Sequence, residues 1–294
     1  MKLSIVIATY NMQREAPRTL MSVLPPCQRE VQNIDYEVIV IDNGSVEPLD
    51  LSCVDSANVP VKVIRVSPSN AHLSPIVSIN NTVALHARGE WLLICIDGAR
   101  FFSPYLIRRT VDTLKLYPNA FTFVESRHLG HETQMKASAK GYDQKVEDEL
   151  INSVDWRSNL DALWDIRGWA GAHDEKNHIF QNESNAIGLS CNLWNELGGY
   201  HLGFQRPGGG LCNLEFFERA VTRDRGLNVL LYGETTFHQF HGGAATGSTT
   251  YFRDSLAEHE EVKGHAYLRP KYDFLADLGA THLRMQTVGN FLRE

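Results

Sequence analysis

The chain has 294 residues, enough for a substantial core, and its 43% hydrophobic, 21% charged and 10% aromatic residues are those of an ordinary globular protein rather than a disordered or fibrous one. A formal charge of −7 lacks the basic footprint that non-specific nucleic-acid binding needs, so no nucleic-acid partner is expected. Every apolar run falls short of the roughly 20 residues that span a bilayer, which leaves only peripheral membrane contact.

Five cysteines, Cys27, Cys53, Cys95, Cys191 and Cys212, are odd in number and scattered, as expected of reduced thiols rather than a disulfide framework or a zinc site. The opening apolar stretch is broken by Thr9, Asn11 and Arg14 and lacks the layout of a signal peptide, so a cytoplasmic location is expected.

Leu3 to Thr9 reads as a strand, Arg14 to Leu24 as a helix stopped by Pro25-Pro26, and Tyr36 to Ile41 and Val61 to Val66 as further strands. Pro75 to Ala87 reads as a helix and Trp91 to Ile96 as a fourth strand. Such alternation implies a doubly wound α/β sheet. Pro104 to Leu116 follows as a helix, with its proline in the first turn, and Ala120 to Glu125 as a strand.

From about Ser126 to Phe180 the pattern loosens into polar sequence carrying Trp156, Trp164 and Trp169, which reads as an insertion or mobile loop. Order returns over 182–245, with a glycine-rich turn at Pro207 to Gly210, a helix from about Leu214 to Arg225 and a strand from Asn228 to Tyr232. Gly242 to Ser248 reads as a flexible loop able to close over a ligand. The expected organisation is a single domain over 1–250, with halves 1–103 and 104–250, and a helical extension over 251–294 that docks on the core.

Apolar runs that end in small or polar residues mark buried parallel strands opening into a crevice, so chemistry is expected around Thr9, Asp42 and Asp97. Thr9-Tyr10-Asn11 offers backbone groups, a hydroxyl and a ring to a base or ribose, or is a plain strand exit. Asp42 can accept from a uracil N–H or a ribose hydroxyl, or serve the turn Asp42-Asn43-Gly44-Ser45. Arg100 suits diphosphate charge, or a solvated loop. His238 and His241 can join Asp97 as cation ligands; His238 is assigned to the site and His241 to local hydrogen bonding.

In order, Thr9-Tyr10-Asn11, Asp42-Asn43-Gly44-Ser45, Asn81 eight residues before Gly89, and Asp97-Gly98-Ala99 followed by Pro104 resemble the nucleotide-sugar half of a family-2-type glycosyltransferase. In the second half, Asn195-Glu196-Leu197-Gly198-Gly199-Tyr200 and Cys212-Asn213-Leu214-Glu215 with Arg219 resemble the acceptor side. The resemblance covers about residues 3–245 and implies the GT-A fold, a Rossmann-like, mainly parallel mixed sheet flanked by helices.

The resemblance also implies a role for each matching residue. Thr9, Tyr10, Asn11, Asp42, Asn81, Asp97 and Arg100 would hold the nucleotide sugar, UDP-linked by expectation. Asp97 and His238 would hold a divalent cation, Mn or Mg, against the diphosphate. Glu215, the next acidic position after Asn213, would act as base on an acceptor hydroxyl in glycan or polysaccharide biosynthesis, or serve only to stabilise the start of its helix.

The chain departs from the family pattern where Ala99 replaces the second aspartate of Asp-X-Asp and where Cys212-Asn213 replaces Glu-Asp. Those losses favour a second reading, a catalytically reduced GT-A domain that binds a nucleotide sugar, glycan or protein. The Asn-Leu-Glu triplet also resembles retaining polypeptide N-acetylgalactosaminyltransferases, so the stereochemical outcome is open. A nucleotidyltransferase would need a glycine-rich pyrophosphate loop near the N-terminus, which this sequence lacks.

Overall fold

The computed structural model describes residues 1–69, 74–170, 185–224, 226–243, 250–268 and 284–287. In chain order the elements are β1 (Leu3–Thr9), α1 (Glu15–Ser22), β2 (Tyr36–Asp42), β3 (Val61–Arg65), α2 (Ile76–Leu85), β4 (Trp91–Cys95), β5 (Arg100–Phe102), α3 (Leu106–Leu116) and β6 (Ala120–Leu129). They continue with α4 (Gln134–Ser138), α5 (Gln144–Asn152), a 3₁₀ segment (Leu160–Ile166), β7 (Arg167–Trp169), β8 (Ile187–Ser190), α6 (Cys191–Leu197), a short 3₁₀ turn (Pro207–Gly209), α7 (Cys212–Thr222), β9 (Leu227–His238), α8 (Tyr251–Lys263) and β10 (Arg284–Thr287).

One sheet runs in the order β10-β9-β6-β8-β4-β1-β2-β3, with β5 attached to β9 and β7 to β6. The pairs β1/β2, β1/β4, β2/β3, β6/β9 and β9/β10 are parallel, and β8 lies antiparallel between β4 and β6. Register sets Thr9 beside Asp42 and Ile7 beside Cys95, so the first, second and fourth strands release the chain at one edge.

Alternation along the strands fills two cores. Val6, Ala8, Leu92 and Ile94 face α2, α6 and α7 through Ile79, Trp194, Phe216 and Phe217. Leu3, Ile5, Ile7, Leu93 and Cys95 face α1 and α3 through Leu20, Leu106, Val111 and Leu114. Strands buried on both faces carry continuous apolar runs, which is why β1, β2 and β4 were legible as sequence.

The loosened region is more ordered than its composition suggests. Trp156, Leu160, Leu163 and Ile166 form a third core with Phe101 and Phe237, and Trp156 is fully enclosed. Residues 126–170 are therefore a packed annex rather than a mobile loop; the stretch 171–184 lies outside the described residues, as do 244–249 of the expected closing loop. The tail also differs from an all-helical reading, because β10 adds a parallel strand beside β9.

Candidate active site

The site forms where β4 ends and β9 arrives beside β5. Arg100 pairs with His238 across β5/β9, and His128 pairs with His238 across β6/β9. Asp97 leaves β4 in a tight turn, its Oδ1 accepting from the Ala99 N–H at 3.1 Å. Asn185 Oδ1 accepts from the Asp97 N–H at 3.1 Å, and Thr19 of α1 donates to the Gly98 carbonyl at 2.6 Å while accepting from the Arg100 N–H. A Cβ on Gly98 would lie 2.5 Å from the Thr9 methyl and 2.6 Å from the Ala8 carbonyl, so glycine is required where this turn crosses β1.

Asp97, His238 and His241 bring one carboxylate oxygen and two imidazole nitrogens within 4.8 Å of one another, the one such group of three among the described residues. His238 Nε2 is 2.9 Å from Asp97 Oδ2, and His241 Nε2 is 3.6 Å from Oδ1. Burial raises the Asp97 carboxyl, but His238, His241 and Arg100 outweigh it and hold the group well below the usual carboxylate range. Burial pushes His238 down, against the pull of Asp97. An imidazole nitrogen and an ionised carboxylate converging at hydrogen-bond distance form an arrangement that a shared proton or a bound cation completes.

Mixed imidazole and carboxylate donors suit Mn²⁺ better than Mg²⁺, which prefers an all-oxygen octahedron. His241, expected to bond locally, thus belongs with the pair. It is brought there by the three-residue step past β9, a spacing that carries no sequence signal by itself.

Ala99 explains the missing second aspartate. Its side chain is fully buried against Met12 and Ala16, so a carboxylate there would point into apolar packing instead of the crevice. His238 at the end of β9 and His241 three residues beyond it bring to this turn the potential ligand atoms that Ala99 lacks.

Arg100 is neither a solvated loop residue nor extended into the crevice. It is buried, donating from Nε to Asp97 Oδ2 at 3.3 Å and from Nη1 to Ser126 Oγ at 2.6 Å and Thr236 Oγ1 at 3.2 Å. Its geometry braces Asp97 from beneath.

The remaining candidates occupy different places. Thr9 is buried and donates its hydroxyl to the Ile41 carbonyl at 2.8 Å, whereas Tyr10 is half exposed. Asn11, with a left-handed φ of 51°, receives from the Val46 N–H and donates its own N–H to Ser45 Oγ. Asp42 is buried and ties its own loop, one oxygen accepting from the Ser45 N–H at 3.0 Å and the other from the Leu49 N–H at 3.1 Å. Each oxygen keeps a further lone pair. Asn81 is exposed on α2 and lines a groove of about 320 Å³ with Ile64, Leu85 and His86. Its neighbour Asn80 instead pins the Gly198-Gly199-Tyr200 turn, exchanging hydrogen bonds with the Tyr200 backbone.

Glu215 departs most from expectation. It is 1% exposed. Oε1 accepts from Arg219 Nε and from Lys263 Nζ, each at 2.7 Å, and Oε2 accepts from Arg219 Nη2 at 2.9 Å. Burial raises its carboxyl, and the Arg219 and Lys263 hydrogen bonds outweigh that and lower it. Arg219 also donates to the carbonyls of Leu197 and Gly199. A carboxylate fixed by two cations is a weakened proton acceptor, and this one ties α7 and α8 to the glycine turn.

Sequence reasoning missed a second polar layer behind β9. Gln134, Glu147 and Arg14 grip the segment between the two histidines: Glu147 Oε1 accepts from the Phe240 N–H at 2.7 Å, and Arg14 Nη1 donates to the Phe240 carbonyl at 3.1 Å. Burial pushes the Glu147 carboxyl up to about 7, against the pull of the Phe240 N–H and Arg14. Arg14 is remote in sequence from Gln134 and Glu147, and all three are remote from Phe240, so no local spacing announces them.

No protein-family model and no curated protein matches the sequence. Solved structures match its fold. S. aureus TarS 1–349 in complex with UDP gives a TM-score of 0.54 at 13% identity over 91% of this chain and 67% of that one. GalNAc-T7 with UDP, GalNAc and Mn²⁺ gives 0.54 at 16% identity over 88% of this chain and 48% of that one. A longer TarS chain gives 0.53 at 12% identity over 91% of this chain, which spans 40% of it. The shared architecture, a largely parallel sheet flanked by helices, is the GT-A fold.

Proposed function

We propose that the chain is a metal-dependent glycosyltransferase of the family-2 type that takes a UDP-linked sugar and transfers it to an acceptor hydroxyl. The observation that carries the reading is the Asp97–His238–His241 cluster at the strand-end crevice of a GT-A fold. Both neighbouring proteins are described with UDP, one of them with Mn²⁺ and the other also with UDP-GlcNAc.

In this reading Asp97 and the two histidines would hold a divalent cation, whose chemistry is to neutralise charge on the departing diphosphate. Arg100 keeps the Asp97 carboxylate in place. The loop built from Thr9, Tyr10, Asn11 and Asp42 sits on the same strand edge and forms the proposed nucleoside side, with Tyr10 offering an exposed ring and Asp42 its remaining lone pairs. Asn81, exposed one turn beyond Ser78, which bonds Asn43 of the Asp42 loop, is the remaining candidate of this side.

The engagement of Glu215 by Arg219 and Lys263, together with Asn213 in the base position, favours a second reading in which the domain binds a nucleotide sugar without transferring it. Incubation of the protein with UDP-sugars, Mn²⁺ and a hydroxyl acceptor panel separates the two. Release of UDP coupled to acceptor glycosylation supports transfer. Tight Mn²⁺-dependent UDP-sugar binding without product supports the binding module, and absence of any nucleotide binding refutes both.

A further inference from the structure

Behind the metal-ligand cluster, one fully buried side chain determines which nitrogen of His238 faces Asp97. Gln134, the first residue of α4, is 0% exposed. Its Nε2 donates to the His238 carbonyl at 2.9 Å and lies 3.5 Å from Glu147 Oε1, while its Oε1 lies 2.6 Å from His238 Nδ1. Two acceptors on one side of the amide admit only the NH₂ group there, so the carbonyl oxygen must meet the imidazole. An oxygen without protons accepts, and Nδ1 therefore carries the hydrogen. Nε2 faces Asp97 Oδ2 at 2.9 Å, where a proton joins the two in the absence of metal and a cation takes that proton's place when bound.

The backbone of the same residue orders a second imidazole in the opposite sense. The Gln134 N–H donates to His128 Nδ1 at 3.0 Å, and the His128 and His238 rings lie 5.4 Å apart. His128 therefore carries its hydrogen on Nε2 and offers no lone pair there, which separates it from the cation ligands although it stands beside them. Glu147 and Arg14 hold the Phe240 N–H and carbonyl, so α4 and α5 together fix the backbone from His238 to His241.

We propose that Gln134 is the positioning residue of the site: its side-chain amide fixes the Nδ1–H form of His238 and so presents Nε2 as a metal ligand. This rests on the metal-site reading above. A partner on the far nitrogen of a ligating histidine usually sets metal affinity by about 10–100-fold.

The test is a pair of measurements on the whole chain and on Gln134→Met, which keeps the bulk and removes both amide bonds. Long-range ¹H–¹⁵N spectra of the metal-free wild type should show His238 protonated on Nδ1 and His128 on Nε2. In Gln134→Met, His238 should lose that preference while His128, bonded through the backbone, retains its own. Manganese titrated by electron paramagnetic resonance should bind the variant about 10–100-fold more weakly. A wild-type His238 with no hydrogen on Nδ1 overturns the proposal, as does a folded variant with unchanged Nδ1 protonation and manganese affinity. Should the variant fail to fold, the wild-type spectrum decides alone. Failure of manganese to bind the wild type overturns the metal reading, and the tautomer is then judged from the same spectrum.

Discussion

Replacing Glu215 by glutamine separates an anchor from a catalyst. The substitution keeps the side chain's size and removes the charge that faces Arg219 and Lys263, leaving an amide beside two cations. Removing one partner of a buried ion pair costs about 3–5 kcal/mol. Arg219 and Lys263 are 27% and 25% exposed and can recover part of their hydration, so the loss falls at about 2–3 kcal/mol. At roughly 2–4 °C per kcal/mol for chains of this general size, the melting temperature should drop by about 5–10 °C.

The pH dependence gives a second readout. The Glu215 carboxyl is held below its ordinary value of 4.5 in the folded state, so the unfolded chain binds the proton first as pH falls. Its stabilisation is present above pH 4.5 and lost on acidification, and the variant should lack that component. Thermal unfolding monitored by circular dichroism checks both, with calorimetry on the folded variant expected to show UDP–Mn²⁺ binding within a few-fold of wild type. An unchanged melting temperature, combined with turnover reduced by about a hundredfold or more, would refute the anchor and restore the base.

Other expected outcomes are equally direct. Asp97→Asn should weaken manganese binding by more than about tenfold, since a ligand should matter at least as much as its outer partners; titration by paramagnetic resonance measures it. Gly98→Ala drives a methyl into the Ala8 carbonyl, and should cost about 1–3 kcal/mol in urea unfolding while also displacing Asp97. Burial, with His238 and Arg100 nearby, holds His128 down at about 2 from an ordinary 6.5. The unfolded chain therefore takes up a proton that the folded one refuses, and stability should fall by up to about 1.4 kcal/mol per pH unit below pH 6.5 from this group. His128→Asn should flatten that slope in pH-dependent chemical denaturation.

The first hundred residues were legible because β1, β2 and β4 are buried on both faces, the more exposed edge strand β3 is rich in β-branched residues, and the helices are short. Leu3–Thr9, Tyr36–Asp42, Val61–Arg65 and Trp91–Cys95 stand within a residue of their sequence bounds. β5 and β8 were not legible, because three or four residues cannot display a period and their antiparallel pairing is a tertiary event. Trp156, Leu160 and Leu163 likewise gain their core only against Phe101 and Phe237, remote in sequence.

Among site residues, Asp97 was readable from its place at a strand end. Its cluster with His238 and His241 was half readable, since the meeting of strands β4 and β9 depends on sheet order. Glu215 was ambiguous because a helix-start acid looks alike as base and as anchor, and the contact that favours the anchor comes from Lys263, 48 positions later. Gln134 lies 104 positions from His238 and gave no signal at all.

The most direct test of the account is calorimetric titration of the wild-type chain with UDP, first with manganese and then with a chelator. The account predicts binding with manganese and its loss with the chelator, because Arg100 is committed to Asp97, Ser126 and Thr236 beneath the site. Equal affinity in both conditions would contradict the metal role of Asp97, His238 and His241, and no binding in either would contradict the nucleotide-sugar reading itself.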